Sequence, residues 1–553
     1  MKWISAYDTG MRVSFPGLCA VVCVLILVAA AGCTSPGGAG PAAATPVSGA
    51  VQDTGRVIDL NDPAALKAFL EKFDTYAETS REKAGISGMA VAVVKDGNVI
   101  IMKGYGTKTV GKADPVTNDT VFQIGSTSKA FTAALVAMEV DRGRMNWSDP
   151  MTQYVPDFAM SDPWVTKEYT ITDSLAQRSG IGDHWGMDLA TFGLDRADMI
   201  HTLRYAEPVS SFRSSFMYQN VPFVATGAAI EKTSGKTWED NLQERIFTPL
   251  HMTGASSTYA AFQASPDHVT LYRHGVLSNN TTGAIPIDPD WAFNNVSYEF
   301  GPAGGINANI QDMAAWTIFQ LGNGSYNGQQ LISPAGMAYM HTPRTPVSDT
   351  MISQKNYYCQ AWMYTGQDGT PDIVWHDGET LGSHSVVLMV PSRNLGIVVL
   401  ANEAGGTALP DGLAFAFYRQ AFGLANPDVS AIVQAQADKS NEQLLADQPV
   451  RPARPAEPLA PEKYTGSYTN TIYGKAVVAE QAGNLTLTFG KTPVTFDLSP
   501  WDGNTFASTC PQWGPDYHGQ VMFATGRDGT VTGLTTSLIL DKDFKRDAAF
   551  VRV

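Results

Sequence analysis

Basic charge is in short supply. The 553-residue chain sets 38 Lys and Arg against 53 Asp and Glu, a net charge of −15, and no run of basic residues interrupts that balance. Nucleic acid needs a basic face to displace its counterions, so it is set aside as a partner. Cysteine is scarce as well: Cys19, Cys23, Cys33, Cys359 and Cys510 are the five. Only Cys19 and Cys23 are closely spaced, and they lie in an apolar run without histidines, so no cysteine-built zinc site is expected. His-Glu-x-x-His does not occur, and neither does the Gly-x-Ser-x-Gly turn that lifts a serine between strand and helix. Charged residues are 16% of the chain and hydrophobic ones 44%, which suits a large packed core.

What is present begins with a targeting segment. Lys2 and Arg12 precede an uncharged run from Phe15 to Gly32, and Ala29-Ala30-Ala31-Gly32 leads into Cys33. A basic start, an apolar middle and a small-residue cleavage site predict an export signal over residues 1–32. Cysteine directly after that site predicts lipidation of Cys33; the alternative is an uncleaved anchor. Either way, the rest of the chain is expected outside the cytoplasm, secreted or held at the cell membrane. Residues 33–58, rich in Gly, Pro and Ala, read as a flexible tether.

From Asp62 the apolar residues Ala65, Phe69, Phe73 and Tyr76 recur at helical spacing. Two β-rich runs, Met89–Val94 and Val99–Met102, flank Lys95-Asp96-Gly97-Asn98, a hairpin signature. Helices are predicted over about Ser126–Asp141 and Pro222–Thr233. Strands return at Ser385–Val390 and Ile397–Leu400. Early and late strands separated by helices imply one shared sheet, an α+β layout over residues 59–425. Residues 426–460 read as an exposed helix followed by a proline-rich linker, and 461–553 as a small all-β domain, a barrel or sandwich.

The chemistry starts at Gly125-Ser126-Thr127-Ser128-Lys129. Positions i and i+3 share a helix face, so the Ser126 hydroxyl and the Lys129 amine converge. A serine needs a base to become nucleophilic, and lysine serves once burial and a helix N-terminus depress its pKa. A second Ser-x-x-Lys, Ser80 to Lys83, lies in the polar part of the first helix and is expected to be solvated and idle. Tyr218-Gln219-Asn220 follows, where an extended segment points the Tyr218 phenol and the Asn220 amide the same way. Then come His376-Asp377-Gly378 and Glu379, just before the late strands. Tyr468-Thr469-Asn470 repeats the Tyr-x-Asn pattern and is expected on a strand surface; His384 is expected to be structural or on an edge strand.

Ser126-x-x-Lys129, Tyr218-x-Asn220 and His376-x-Gly378, in that order, resemble the serine β-lactamase and penicillin-binding protein superfamily, and its class C-like branch in particular. Leu175–Ile181, Ile246–Thr253 and Pro302–Ile306 are similar to further landmarks of that branch, and the C-terminal domain resembles a module appended to it. The resemblance implies an antiparallel sheet flanked by helices with an all-helical lobe. It implies that Ser126 is the acyl-accepting nucleophile, Lys129 its base partner and Tyr218 a proton shuttle. Asn220, His376 and Gly378 would bind substrate, and the backbone N–H groups of Ser126 and Glu379 would form an oxyanion hole. No metal or cofactor is implied. His376 stands where many relatives carry lysine, so esters, amides or peptides are expected as substrates. The alternatives are a β-lactamase proper and a non-hydrolytic penicillin-binding sensor.

Overall fold

A computed structural model of the chain describes residues 57–277, 281–347, 355–366, 369–404, 408–424 and 450–553, less 482, 511–512, 514–517 and 540–548, together with 435, 438, 439 and 442. The predicted export signal, Cys33, most of the predicted tether and most of the segment 426–449 lie outside the described residues. Among those described, no helix is long and apolar enough to cross a membrane. Two units are present, one holding 57–274 and 284–424, the other including 450–553.

The first unit opens with helix α1, Pro63–Ala84. Asp62 caps it by accepting from the Ala64 N–H at 2.9 Å, Pro63 takes the first turn, and Gly85 ends it at φ +72°. The hairpin of β1 (Gly88–Lys95) and β2 (Asn98–Gly106) turns through Asp96 and Gly97, at φ +51° and +75°. That pair of left-handed residues is the two-residue turn that matches strand twist.

Late strands complete the sheet: β3 (Thr345–Pro346), β4 (Lys355–Tyr358), β5 (Met363–Gly366), β6 (Ile373–Glu379), β7 (His384–Val390) and β8 (Leu395–Ala401). The order is β2-β1-β8-β7-β6-β5-β4-β3, and the neighbouring pairs are antiparallel. Every residue of β1, β7 and β8 is buried, because helices cover both faces. α1 and a late helix, Leu409–Ala421, pack on one face around Phe69, Phe73, Trp375 and Phe417. Helix α2 (Ser128–Asp141), α3 (Val221–Ser234) and α4 (Ile310–Leu321) belong to the helical region between β2 and β3, and α4 lies on β1 and β8. The late helix is α5.

The second unit is a closed antiparallel barrel of eight strands, Gly466–Asn470, Gly474–Gln481, Asn484–Phe489, Val494–Asp502, Thr505–Thr509, His518–Thr525, Val531–Thr536 and Ala549–Arg552. Aromatic rings fill it: Tyr464 lies 4.6 Å from Phe523 and Phe489 5.4 Å from Phe550, centroid to centroid. Closure removes the sheet edges that a short-stranded domain would otherwise expose.

Two sequence expectations need correction here. Tyr468 and Asn470 are on a strand but not on its surface: Tyr468 is fully buried and donates to the Tyr464 carbonyl at 2.6 Å, while Asn470 receives the N–H groups of Ile472 and Tyr473. Ser80 is buried and Lys83 exposed, so the early Ser-x-x-Lys pair faces opposite environments. Core packing of α1, which the charged neighbours of Ser80 conceal, turns that serine inward.

Candidate active site

A tight turn carries the nucleophile candidate. Gly125, at φ +50°, starts one 3₁₀ turn through Thr127 that runs straight into α2. The predicted helix therefore starts at Ser128 rather than Ser126. Ser126 is partly exposed, while Gly125 and every residue from Thr127 to Glu139 are buried. The intervening motif residues pin the turn. Thr127 and Ser385 of β7 both donate to the Ile124 carbonyl at 2.7 Å, and Ser128 accepts from the Ile306 N–H at 3.2 Å.

Lys129 is fully buried, with its amine 2.9 Å from the Ser126 hydroxyl and 2.9 Å from the Ala303 carbonyl. The rings of Tyr218 and Phe223 lie 4.7 Å and 5.4 Å from it. Burial among such neighbours lowers its pKa well below the ordinary lysine value, although Asp377 opposes the shift. Ala303 belongs to the Pro302–Ile306 landmark, which accounts for that segment: Pro302 also accepts from Thr132 at 2.7 Å. The Ile246–Thr253 landmark packs on the other side of α2, with Phe247 6.3 Å from Phe131.

Tyr218 is 7% exposed, on a loop clamped by Gln177. Gln177 donates to the Gln219 carbonyl at 3.0 Å and accepts from the Gln219 N–H at 2.7 Å, while Asp183 accepts from the Tyr218 N–H. Burial, reinforced by Asp377, raises the Tyr218 phenol well above its ordinary value, and proximity to Ser126 pulls the other way. The hydroxyl lies near Ser126 without a hydrogen bond of proper geometry. Asn220 stands at the residue before α3 without capping it, and its Oδ1 is buried without a partner.

Strand β6 supplies the remaining candidates. Gly378 packs so tightly on the nucleophile turn that a Cβ there would lie 2.1 Å from the Ile124 carbonyl oxygen and 2.7 Å from the Ser126 nitrogen. A Cβ on Gly125 would lie 2.6 Å from the Glu379 nitrogen. These contacts bring the backbone of Ser126 and that of Glu379 to one place. His376 is 1% exposed and both ring nitrogens are engaged. Nδ1 donates to the Asp377 carbonyl at 2.5 Å, so Nε2 is the acceptor for the Tyr358 hydroxyl at 2.9 Å. Burial pushes its pKa down to about 3, and Lys129, whenever protonated, pushes the same way. The ring is thus a neutral group turned inward beside Tyr218, 6.3 Å between centroids, rather than a free cation in the cleft.

The structure brings Ser126, Lys129, Tyr218, Gly378 and the Glu379 backbone together around one turn. Sequence reasoning missed Tyr358, Gln177, Asp183 and the Ala303 carbonyl. The landmarks around Gln177 and Ala303 were the available signal; Tyr358 and Asp183 had none. His384 lies in the interior of the sheet, on β7 between β6 and β8, so the edge-strand alternative is overturned. Trp185 is buried in the core; Trp291 stacks edge-on with Phe293 at 4.9 Å. Cys359 stays a buried thiol, donating to the His341 carbonyl at 3.3 Å.

Residues 73–416 match the family model described as Beta-lactamase, and 449–551 match a domain of unknown function, DUF3471. The chain is 31% identical over 373 residues to the unguisins hydrolase ungD' of Aspergillus campestris, covering 65% of each protein. It is 27% identical over 334 residues to protein flp of Staphylococcus aureus, covering 60% of this chain and 63% of flp. The match thus spans less than two thirds of the length of these relatives. A similar solved structure is the octameric penicillin-binding protein homologue from Pyrococcus abyssi, with TM-score 0.54, 17% identity, and coverage of 84% of this chain and 98% of that one.

Proposed function

The chain belongs to the beta-lactamase family, and from that premise we propose that it is a serine hydrolase that forms an acyl-enzyme on Ser126 with neutral esters, amides or peptides. The observation that carries this reading is the 2.9 Å approach of a fully buried Lys129 amine to the Ser126 hydroxyl. A neutral amine has two N–H groups and one lone pair. One N–H satisfies the Ala303 carbonyl, which leaves the lone pair to take the Ser126 proton as its oxygen attacks the acyl carbon. The tetrahedral oxyanion then forms beside the N–H groups of Ser126 and Glu379. Lys129 takes this step rather than Tyr218, because burial lowers the amine pKa and raises the phenol pKa. Tyr218, kept protonated, gives its proton to the leaving group and recovers it from the incoming water, and Lys129 returns its proton to Ser126 as the acyl bond breaks.

Removing that proton donor has a substrate-dependent effect. Tyr218→Phe is expected to lower kcat by about 10²–10⁴-fold on an anilide or peptide. The loss in acylation by p-nitrophenyl acetate, read as the burst of p-nitrophenolate, is expected to be much smaller, since p-nitrophenolate leaves without a proton. A burst rate that falls as far as turnover of the anilide would place Tyr218 elsewhere in the mechanism.

His376 shapes the substrate preference. A neutral ring already bonded through both nitrogens offers no cation to a substrate carboxylate. Anionic β-lactams are therefore poor substrates, and the hydrolase name carried by the ungD' relative supports acyl substrates of another kind. At pH 8, p-nitrophenyl acetate should turn over while nitrocefin scarcely does. Efficient nitrocefin hydrolysis would reverse the preference.

A further inference from the structure

Behind the β6 strand lies a group of ionisable side chains that the proposed chemistry leaves unused. Asp377 and Glu379 of β6 and His384 of β7 alternate away from the nucleophile turn, and Asp411 meets them from the first turn of α5. One donor atom each from Asp377, His384 and Asp411 lies within 4.8 Å of the others, and His384 Nε2 is 3.0 Å from Asp411 Oδ2.

Burial makes this gathering unusual. His384 is 2% and Asp411 4% exposed, yet neither His384 ring nitrogen nor Asp411 Oδ1 has a hydrogen bond of proper geometry. Both imidazole nitrogens of His384 and one oxygen of Asp411 are thus buried beside Asp377 without a well-formed hydrogen bond, an arrangement that is costly unless something else occupies it. One imidazole nitrogen and two carboxylate oxygens are a ligand set suited to a first-row divalent ion of the zinc class. The two carboxylate charges would match the ion's, and Glu379, which acts electrostatically on both Asp377 and His384, or a water would complete the shell.

We propose that Asp377, His384 and Asp411 bind one zinc-class divalent cation that ties β6, β7 and α5 together behind the strand carrying the Glu379 N–H. The ion touches no reacting atom; it fixes the position of a strand. Without a cation, Asp377 and His384 hold a proton more readily than they do in water. Burial and then Asp411 push Asp377 up to about 7; burial opposes protonation of His384, but Asp411 overrides it and pushes the ring up to about 9.

Metal binding is read without any substrate, so its failure is distinguishable from failure of the hydrolase reading. The purified full chain is stripped with dipicolinate, then titrated with ZnCl2 by calorimetry and with CoCl2 by visible absorption. One equivalent of Zn²⁺ and the visible bands of low-symmetry Co²⁺ are expected. Changing a group that only orients a metal ligand weakens affinity about 10–100-fold, so losing a ligand in His384→Gln or Asp411→Asn should weaken Zn²⁺ binding by at least about 100-fold. Asp377→Asn, at the more exposed of the three positions, carries the test if the buried variants do not fold. Wild-type protein that takes up no stoichiometric Zn²⁺, or variants that bind it as tightly, would overturn the proposal and leave a buried histidine–carboxylate ion pair.

Discussion

Lys129→Arg should abolish most turnover, lowering kcat by about 10³–10⁴-fold although it preserves a basic side chain. Arginine stays protonated throughout the working range, so it has no lone pair to offer Ser126. Its planar fork also does not fit a fully buried site measured at 2.9 Å to Ser126 on one side and 2.9 Å to Ala303 on the other. The wild-type pH profile carries the matching signature. Because burial lowers the Lys129 pKa, the neutral amine accumulates as pH rises through that lowered value, and kcat/KM climbs with it. Tyr218 is shifted upward, so it adds no alkaline fall until pH exceeds its ordinary range. A profile of ester hydrolysis therefore rises on an acid limb well below the ordinary lysine pKa and then holds. A limb at the ordinary lysine value would assign the base to another group.

Gly378→Ala is the second large effect, and it acts through geometry alone. The added methyl would sit 2.1 Å from the Ile124 oxygen and 2.7 Å from the nitrogens of Ser126 and Thr127, all of them backbone atoms that no side-chain rotation relieves. Either β6 or the nucleophile turn must move, and the Ser126 and Glu379 N–H groups then no longer point at one oxyanion. Loss of one such donor costs about 10²–10³-fold in kcat. Steady-state kinetics beside a thermal melt separate the causes. A drop in kcat of that size in protein that is still folded at assay temperature is expected; unchanged kcat would remove the two N–H groups from the chemistry.

Local signals were legible in the sequence where neighbours in the chain decide the outcome. The Asp96-Gly97 turn needs only two residues able to adopt positive φ, and α1 needs only its Asp62 cap, its Pro63 start and its Gly85 stop. The Ser126–Lys129 approach follows from helical spacing, and burial of α2 from its apolar run. What stayed hidden depends on partners far along the chain. Ser80 is turned inward by packing across α1, and Tyr468 closes over Tyr464 inside a barrel whose closure no single strand announces. His376 was read as a polar group for substrate. Its inward placement is held by Tyr358 on another strand, which its own neighbours do not reveal. Asp411 likewise joins Asp377 and His384 only because α5 returns across the sheet.

The central claim, that Ser126 is the acyl-accepting nucleophile, is tested most directly by intact-protein mass after exposure to a fluorophosphonate probe. Wild-type chain should gain the mass of one phosphonyl group, mapped by peptide digestion to Ser126, and Ser126→Ala should gain none. A wild-type chain left unmodified, or an adduct that persists in Ser126→Ala, would contradict the account.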